Sequence, residues 1–430
     1  MSHKWLIENG TFLVLDQTSP IMKGYMLIQD DLIQYVGEIR PQVEEDIQIM
    51  DGSGLLFMPG LINTHGHSPM SLLRGLSDDV TLQVWLQQKI WPMEAKFSEQ
   101  EISAGAALSI LEMIKGGTTT FLDMYIYMDE VARLVEQAGI RAVLTRGVLG
   151  LCSEQEQLDK LAGAVSFAKE WNHAADGRIT TMLSPHSPYT CPPALIQKFV
   201  EAAHDLNVSL HTHMSETRLE VQQCIKDYGV APAEHLQQLG FFSRPALVAH
   251  GVHVNSEEIQ LLAEHKVSVA HNPGSNLKLA SGIAPVVQLL EAGVNVSLGT
   301  DSAASNNNLD MFEEMNLAAL IHKGVSGDPT AVPAIEALKM GTEYGAKALG
   351  LAHIGSLNAG KKADFIALSL QQAHFVPKSD LLSHLIYSAG AQDVEHVWVN
   401  GVQLVRHKEC LTMDEEKICY EAEAALKRIS

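Results

Sequence analysis

Residues 246–301 read ALVAHGVHVNSEEIQLLAEHKVSVAHNPGSNLKLASGIAPVVQLLEAGVNVSLGTD, and their pattern decides the fold. Three short apolar runs, ALVAHG at 246–251, VSVAHN at 267–272 and VNVSLGTD at 294–301, are strand-sized and separated by longer helical stretches. Upstream, the same alternation places strands at LINTHGH 61–67, TTTFLDM 118–124, RAVLTRG 141–147, TTMLSPH 180–186 and VSLHTHM 208–214. Strands that alternate with helices indicate a parallel sheet. Eight such units in about 295 residues fit a (β/α)8 TIM-like barrel, which typically needs about 250. An open doubly wound sheet would show a glycine fingerprint after its first strand, and none stands there.

The intervening helices have their own signals. SEQEISAGAALSILEMIKGG opens with Ser98 and Glu101 at capping-box spacing and closes on Gly116–Gly117. PPALIQKFVEAAHDLN begins on prolines and carries apolar residues at helical spacing. The flanks differ. WLIENGTFLVL, YMLIQDDLIQYVG and DIQIMDGSGLLFM read as short strands with Asn-Gly and Asp-Asp turns. HIGSLNAGKKADFIALSL and HVWVNGVQLVRHKE near the other end alternate likewise, with Asn400–Gly401 as a hairpin turn and a short amphipathic helix after Met413. The expectation is a small β-sandwich domain built from residues 1–58 and 355–430, and a catalytic barrel over 59–354.

Composition bounds the partners. The 430 residues carry 30 Lys and Arg against 51 Asp and Glu, a net charge of −21, which argues against a nucleic-acid backbone or an anionic membrane as main partner. There is no run of 18 apolar residues and no signal-peptide pattern at MSHKWLIENG. The five scattered cysteines suit a reducing compartment, so a cytoplasmic protein is expected. Barrels of this kind frequently pair, so a homo-oligomer is allowed for, although no apolar stripe in the sequence specifies one.

Barrel active sites lie at the strand C-termini. The proposed strands end in His65 and His67, Asp123, Arg146, His186, His213, His250, His271 and Asp301. A single histidine there would read as a hydrogen-bonded structural residue, but so many on one face mark a site. Asp123 and His271 are taken as structural. His65-x-His67 presents two imidazoles to one face, which suits one ion. His211 and His213 share a face too, and periodicity does not say which lies nearer the mouth. Asp301 adds an anionic ligand beside the first strand once the barrel closes, and three histidines with one aspartate leave room for a water. H-E-x-x-H is absent, as is the H-x-E…P-C-x-x-C arrangement of cytidine-type deaminases, and Gly52-Ser53-Gly54 lacks a nucleophile elbow.

PGLINTHGH, HTHMSET, VAHGVHV, HNPGSNLKL and LGTDSAASNNNLDMFEE together resemble the amidohydrolase superfamily, and within it the 5-methylthioadenosine/S-adenosylhomocysteine deaminases. The likeness runs nearly end to end. It implies one divalent metal per subunit, zinc first with iron or manganese as alternatives, held by His65, His67, His213 and Asp301. The H-x-x-E spacing selects His213 and leaves His211 a packing residue one layer down. By the same resemblance Glu216 protonates a ring nitrogen of the substrate, His250 steadies the tetrahedral intermediate, and Asp301 accepts the proton of the attacking water. In WLQQKIWPMEAKF, Glu94 would bind ribose hydroxyls, with Trp85 as an apolar wall or a packed helix residue. His186 would touch substrate, and Arg146 would lie near the ribose end. SEQEQLDKLAGAV has no arginine where some members carry one for a homocysteine carboxylate. Arg74 is expected to pair with Asp78 or Asp79, and Ser302, Asn306 and Asn307 to shape the pocket. The implied activity is deamination of a small-molecule nucleoside thioether. Deamination or hydrolysis of a free heterocycle such as guanine, a pterin or an s-triazine is the alternative, and an inactive scaffold the third.

Overall fold

The computed structural model describes residues 4–15, 20–43 and 47–430. Eight parallel strands follow one another around a barrel: Leu61–Asn63, Thr118–Tyr125, Arg141–Val148, Ile179–Pro185, Ser209–Met214, Ala246–His250, Ser268–His271 and Asn295–Leu298. First and last strands meet through Thr64 N–H to the Leu298 carbonyl at 2.9 Å, Asp301 N–H to the His65 carbonyl at 3.0 Å, and a parallel bridge between Gly66 and Asp301. The sheet therefore closes, and the doubly wound alternative is excluded.

Both faces of these strands are apolar because each is covered, as parallel sheets require. Inside, Ile62, Leu122, Val143, Met182, Leu247 and Ala270 form one cluster, stoppered by Ala346, Leu349, Leu351 and Ile354. The opposite faces, with Phe121, Leu144, Val248 and Val296, belong to the larger core under the helices. Helix Glu99–Lys115 begins on the expected capping box of Ser98 and Glu101 and ends at Gly116; Pro193–Leu206 starts on its prolines.

Strands from both chain ends share a second, nine-stranded mixed sheet. Its seam is the antiparallel pairing of Leu55–Pro59 with Phe365–Ser369. The sheet curls on itself: Trp5 and Trp398, three strand pairings apart, bring their rings to 6.3 Å. Trp398 also stacks on Phe365 at 4.5 Å, in a core with Ile7, Phe12, Met26 and Phe57. Asn400–Gly401 is a hairpin turn with φ of 48° and 72°. Asn9–Gly10 is not a turn. It lies inside strand Lys4–Leu13 as a register-shifting bulge with Asn9 at φ 58°, because pairing with Ile21–Gln29 resumes beyond it.

The sheet is tied to the closed end of the barrel by a buried ion pair. Arg141, which opens the third barrel strand, gives two hydrogen bonds to Asp364, Nε to Oδ2 at 2.8 Å and Nη2 to Oδ1 at 3.1 Å. Asp364 Oδ1 also accepts the Asn400 N–H at 2.8 Å. No helix among the described residues is long and apolar enough to cross a membrane.

Candidate active site

Several strands stop short of the residues that matter, so His65, His67, His186 and Asp301 lie in the first turns beyond their strands. Position there is set by backbone contacts. Gly66 C=O accepts the Met124 N–H at 3.0 Å, and Asp301 N–H reaches back to His65. His250, Asp301 and Ser215 sit at φ 76°, 58° and 53°, a region that costs a non-glycine residue about 1–3 kcal/mol. Glu220 holds the last of these in place by accepting the N–H groups of Ser215 and Glu216 at 2.9 and 2.8 Å. Burial pushes that carboxyl up to about 7.

Four side chains converge. His67 Nε2 lies 3.3 Å from His213 Nε2 and 3.3 Å from Asp301 Oδ1, and His65 Nε2 is 3.7 Å from the same oxygen. His67 and His213 each turn Nδ1 to a main-chain carbonyl, Met124 and His186 respectively, both at 2.7 Å. A carbonyl only accepts, so in the neutral rings Nδ1 carries the hydrogen and Nε2 is a bare lone pair. Burial holds His65 and His213 well below the usual histidine range, so both are neutral. His65 Nε2 is buried with no hydrogen-bond partner. Bare nitrogens and a carboxylate oxygen facing one another repel unless a cation lies between them. Tetrahedral zinc with ligands at about 2.0–2.1 Å would separate them by about 3.3–3.4 Å. The donor set therefore fits a divalent ion.

Asp301 is oriented for this. Its Oδ2 accepts the hydroxyls of Ser275 at 2.6 Å and Ser305 at 3.0 Å, which leaves Oδ1 toward the imidazoles. Glu216 and His250 stand alongside, Oε2 to Nε2 at 3.8 Å. Burial raises Glu216 above the ordinary carboxylate range. Burial pulls His250 down, but the Glu216 and Asp301 carboxylates outweigh it and the net shift is upward. His250 Nδ1 meets Asn276 Oδ1 at 2.9 Å.

These groups form one side of a cavity of about 300 Å³. His186 lines it, its ring 4.6 Å from that of His213 and its Nδ1 3.0 Å from Thr190 Oγ1. Across the space, a helical turn, Leu82–Val84, runs through a turn of π-helix, Trp85–Ile90, into Trp91–Glu94, and together they supply Leu82, Trp85, Leu86, Ile90 and Trp91 to the wall. Trp85 is both expected things at once, a cavity wall and a packed core residue at 4% exposure. Glu94 is the acidic group on this side. The Tyr125 hydroxyl donates to it, and burial raises its pKa.

Arg146 does not join them. Neighbouring Gly147 lines the cavity while Arg146 faces the helix layer, its Nη1 2.9 Å from where a Cβ on Gly163 would stand. Its register partner Tyr125 reaches the cavity from the end of the neighbouring strand, whereas Arg146 turns toward the helix that follows its own strand. Arg74 pairs with Glu112 and donates to the Asn307 carbonyl, whereas Asp78 pairs with Lys278 at 2.7 Å. Ser302 lines the cavity, and Asn306 braces the loop by donating to the Thr300 carbonyl at 2.9 Å and to Glu314 at 2.7 Å. Asp123 accepts the Ser68 N–H at 2.7 Å and its hydroxyl at 2.5 Å, fixing the chain just after His67. His271 turns outward to His322, 3.3 Å between Nε2 atoms. His211 is more than packing, since its Nε2 lies 3.0 Å from His65 Nδ1. Tyr125, Ser275 and Asn276 carried no spacing signal, because their partners lie on other strands and loops, whereas Ser305 stands four residues after Asp301 in the same loop.

The amidohydrolase family model matches residues 56–404. A 5-methylthioadenosine/S-adenosylhomocysteine deaminase of Halalkalibacterium halodurans is 49% identical over 430 residues, 99% of this chain and 98% of that one. One of the same name from Dictyoglomus thermophilum is 47% identical, covering 97% of each. Among solved structures, an adenosine deaminase from Xanthomonas campestris with bound zinc superposes with a TM-score of 0.94 at 35% identity, over 99% of this chain and 98% of that one. An atrazine chlorohydrolase from Arthrobacter aurescens complexed with zinc gives 0.91 at 27%, over 98% and 100%. Match, barrel and the convergence of His65, His67, His213 and Asp301 agree: this chain belongs to the amidohydrolase family, whose members are metal-dependent.

Proposed function

We propose that this chain hydrolytically deaminates 5′-methylthioadenosine and/or S-adenosylhomocysteine, with adenosine as a further substrate, to the inosine analogue and ammonia. One observation carries the reading. Glu216 and His250 stand in one cavity with His67, His213 and Asp301, three of the four clustered side chains able to hold a metal, and across an otherwise apolar wall a single acidic group, Glu94, is held by Tyr125. The apolar wall suits a thioether arm, and Glu94 suits ribose hydroxyls. The names of the relatives and the adenosine deaminase neighbour support the same substrate class.

His65, His67, His213 and Asp301 would hold the ion, and we propose zinc, with iron or manganese as alternatives. Such an ion supplies Lewis acidity and lowers the pKa of a water toward neutrality. The side chains do the rest. Asp301 takes a proton from the water that adds to the amino-bearing ring carbon. Glu216, whose pKa burial raises above the ordinary carboxylate range, protonates the neighbouring ring nitrogen and then carries a proton to the departing ammonia. His250 Nε2 hydrogen-bonds the adding oxygen and stabilises its charge. His186 and Glu94 orient the nucleoside. Residues 59–354 form the catalytic barrel in this reading, residues 1–58 with 355–430 a small β domain, and the protein works in the cytoplasm, with a homo-oligomer compatible.

The test is elemental analysis followed by ultraviolet assay of zinc-loaded protein with methylthioadenosine, S-adenosylhomocysteine and adenosine, and with guanine and an s-triazine beside them. Stoichiometric metal and a falling adenosine band support the proposal. Metal present with all three nucleosides inert refutes it, and turnover of a free heterocycle would then identify the alternative.

A further inference from the structure

Two buried histidines on neighbouring layers of the barrel are joined end to end. His211 lies on the fifth strand, Ser209–Met214, two residues before His213, and is 0% exposed. Its Nδ1 is 2.8 Å from the Leu247 carbonyl, and its Nε2 is 3.0 Å from Nδ1 of His65. The hydrogens in this chain have one arrangement for neutral rings. Leu247 C=O can only accept, so His211 Nδ1 bears hydrogen and His211 Nε2 is a lone pair. His65 Nδ1 must then donate to it, and His65 Nε2 is left bare. That is the atom buried without a partner, 3.7 Å from Asp301 Oδ1. Were His211 absent, His65 would be free to carry its hydrogen on Nε2 and give it to Asp301, closing the site against a cation.

We propose that His211 is a positioning residue for metal binding, relaying the Leu247 carbonyl to His65 so that His65 Nε2 is held unprotonated. The inference rests on His65 being one of the residues that hold the metal. His67 and His213 obtain the same orientation from main-chain carbonyls directly. His65 is 0% exposed, and its Nδ1 is served instead by a second imidazole. Partners of this kind, one shell out from a metal, typically change affinity about 10–100-fold when removed.

Two substitutions separate the relay from mere filling of space. His211→Gln can donate from its amide nitrogen to Leu247 and accept from His65 with its amide oxygen. His211→Asn is one bond shorter and keeps only the Leu247 contact. Zinc affinity is measured by competition with a chromophoric chelator, the melting temperature of each metal-free protein is taken alongside, and ¹⁵N shifts of His65 report its tautomer. The relay predicts affinity within a few-fold of the parent for His211→Gln, and a loss of about 10–100-fold for His211→Asn. His65 in the metal-free parent carries its hydrogen on Nδ1. The proposal is overturned if His211→Asn binds zinc as tightly as the parent, if both variants lose affinity equally, or if His65 carries its hydrogen on Nε2 in the parent. A parent that binds no zinc would overturn the metal-dependent function as well, whereas a zinc-binding parent with an unaffected His211→Asn overturns this inference alone.

Discussion

Replacing Arg141 should unfold the protein more easily without touching its chemistry. The Arg141 and Asp364 side chains are each 2% exposed, and two charge-assisted hydrogen bonds join them. If Arg141→Met removes the cation, Asp364 keeps a buried carboxylate satisfied by little more than the Asn400 N–H. Breaking one partner of a buried pair costs about 3–5 kcal/mol, most of it the desolvation of the charge left behind. Unfolding entropy scales with chain length, and at 430 residues each kcal/mol moves the melting temperature by about 1 °C, so the shift should be about 3–5 °C downward. Asp364→Leu leaves the guanidinium behind and should cost a similar amount. The double variant Arg141→Met/Asp364→Leu strands no charge and should melt above either single variant, within about 2 kcal/mol of the parent. Calorimetry of the four metal-loaded proteins closes the cycle, and deaminase kcat should be unchanged because Arg141 opens its strand at the end away from the site. Additive losses in the double variant, or single losses below about 1 kcal/mol, would refute the reasoning and mean that water reaches the pair.

Three further outcomes follow from the same geometry. Glu216→Gln should retain stoichiometric metal while kcat falls about 10²–10⁴-fold, the usual share of a general acid–base; a smaller loss would remove Glu216 from proton transfer. Glu94→Ala should raise KM for methylthioadenosine with a loss of about 1.5–3 kcal/mol in kcat/KM, and should erase discrimination against a 2′-deoxy substrate; an unchanged KM would sink its role at the ribose. Glu314, fully buried and pushed up to about 8 by burial, takes up a proton on folding, so its contribution to stability is complete below the ordinary glutamate range and lost as pH rises through about 8. Melting temperatures from pH 5 to 9 should therefore fall less steeply for Glu314→Gln than for the parent. Asp123 and Glu220 share the sign, so some slope should persist, and parallel curves would exclude Glu314 as a source.

Much of this was legible in the linear chain because a barrel converts order along the chain into position. Each strand end arrives at the same face, so reading the last residues of eight apolar runs collected His65, His67, His213, His250 and Asp301 before any coordinates. The errors have equally physical sources. Arg146 and Gly147 are adjacent, yet only Gly147 reaches the cavity, and a strand buried on both faces has no polar alternation to show which face is inner. Asn9–Gly10 has the composition of a hairpin turn, but the pairing of Lys4–Leu13 with Ile21–Gln29 continues past it and makes it a bulge.

What the sequence determined by itself was the eight-unit barrel, the seam between the chain ends and the inventory of ligating and proton-moving groups, since hydrophobic period, turn residues and motif spacing are local properties. What only tertiary structure decided was orientation. That His211 serves His65, that Ser275 turns Asp301 Oδ1 toward the imidazoles, and that Tyr125 holds Glu94 all depend on atoms 26 to 146 positions apart in the chain. Hydrogen-bond direction is set by which donor meets which acceptor across strands, and no local pattern encodes that meeting.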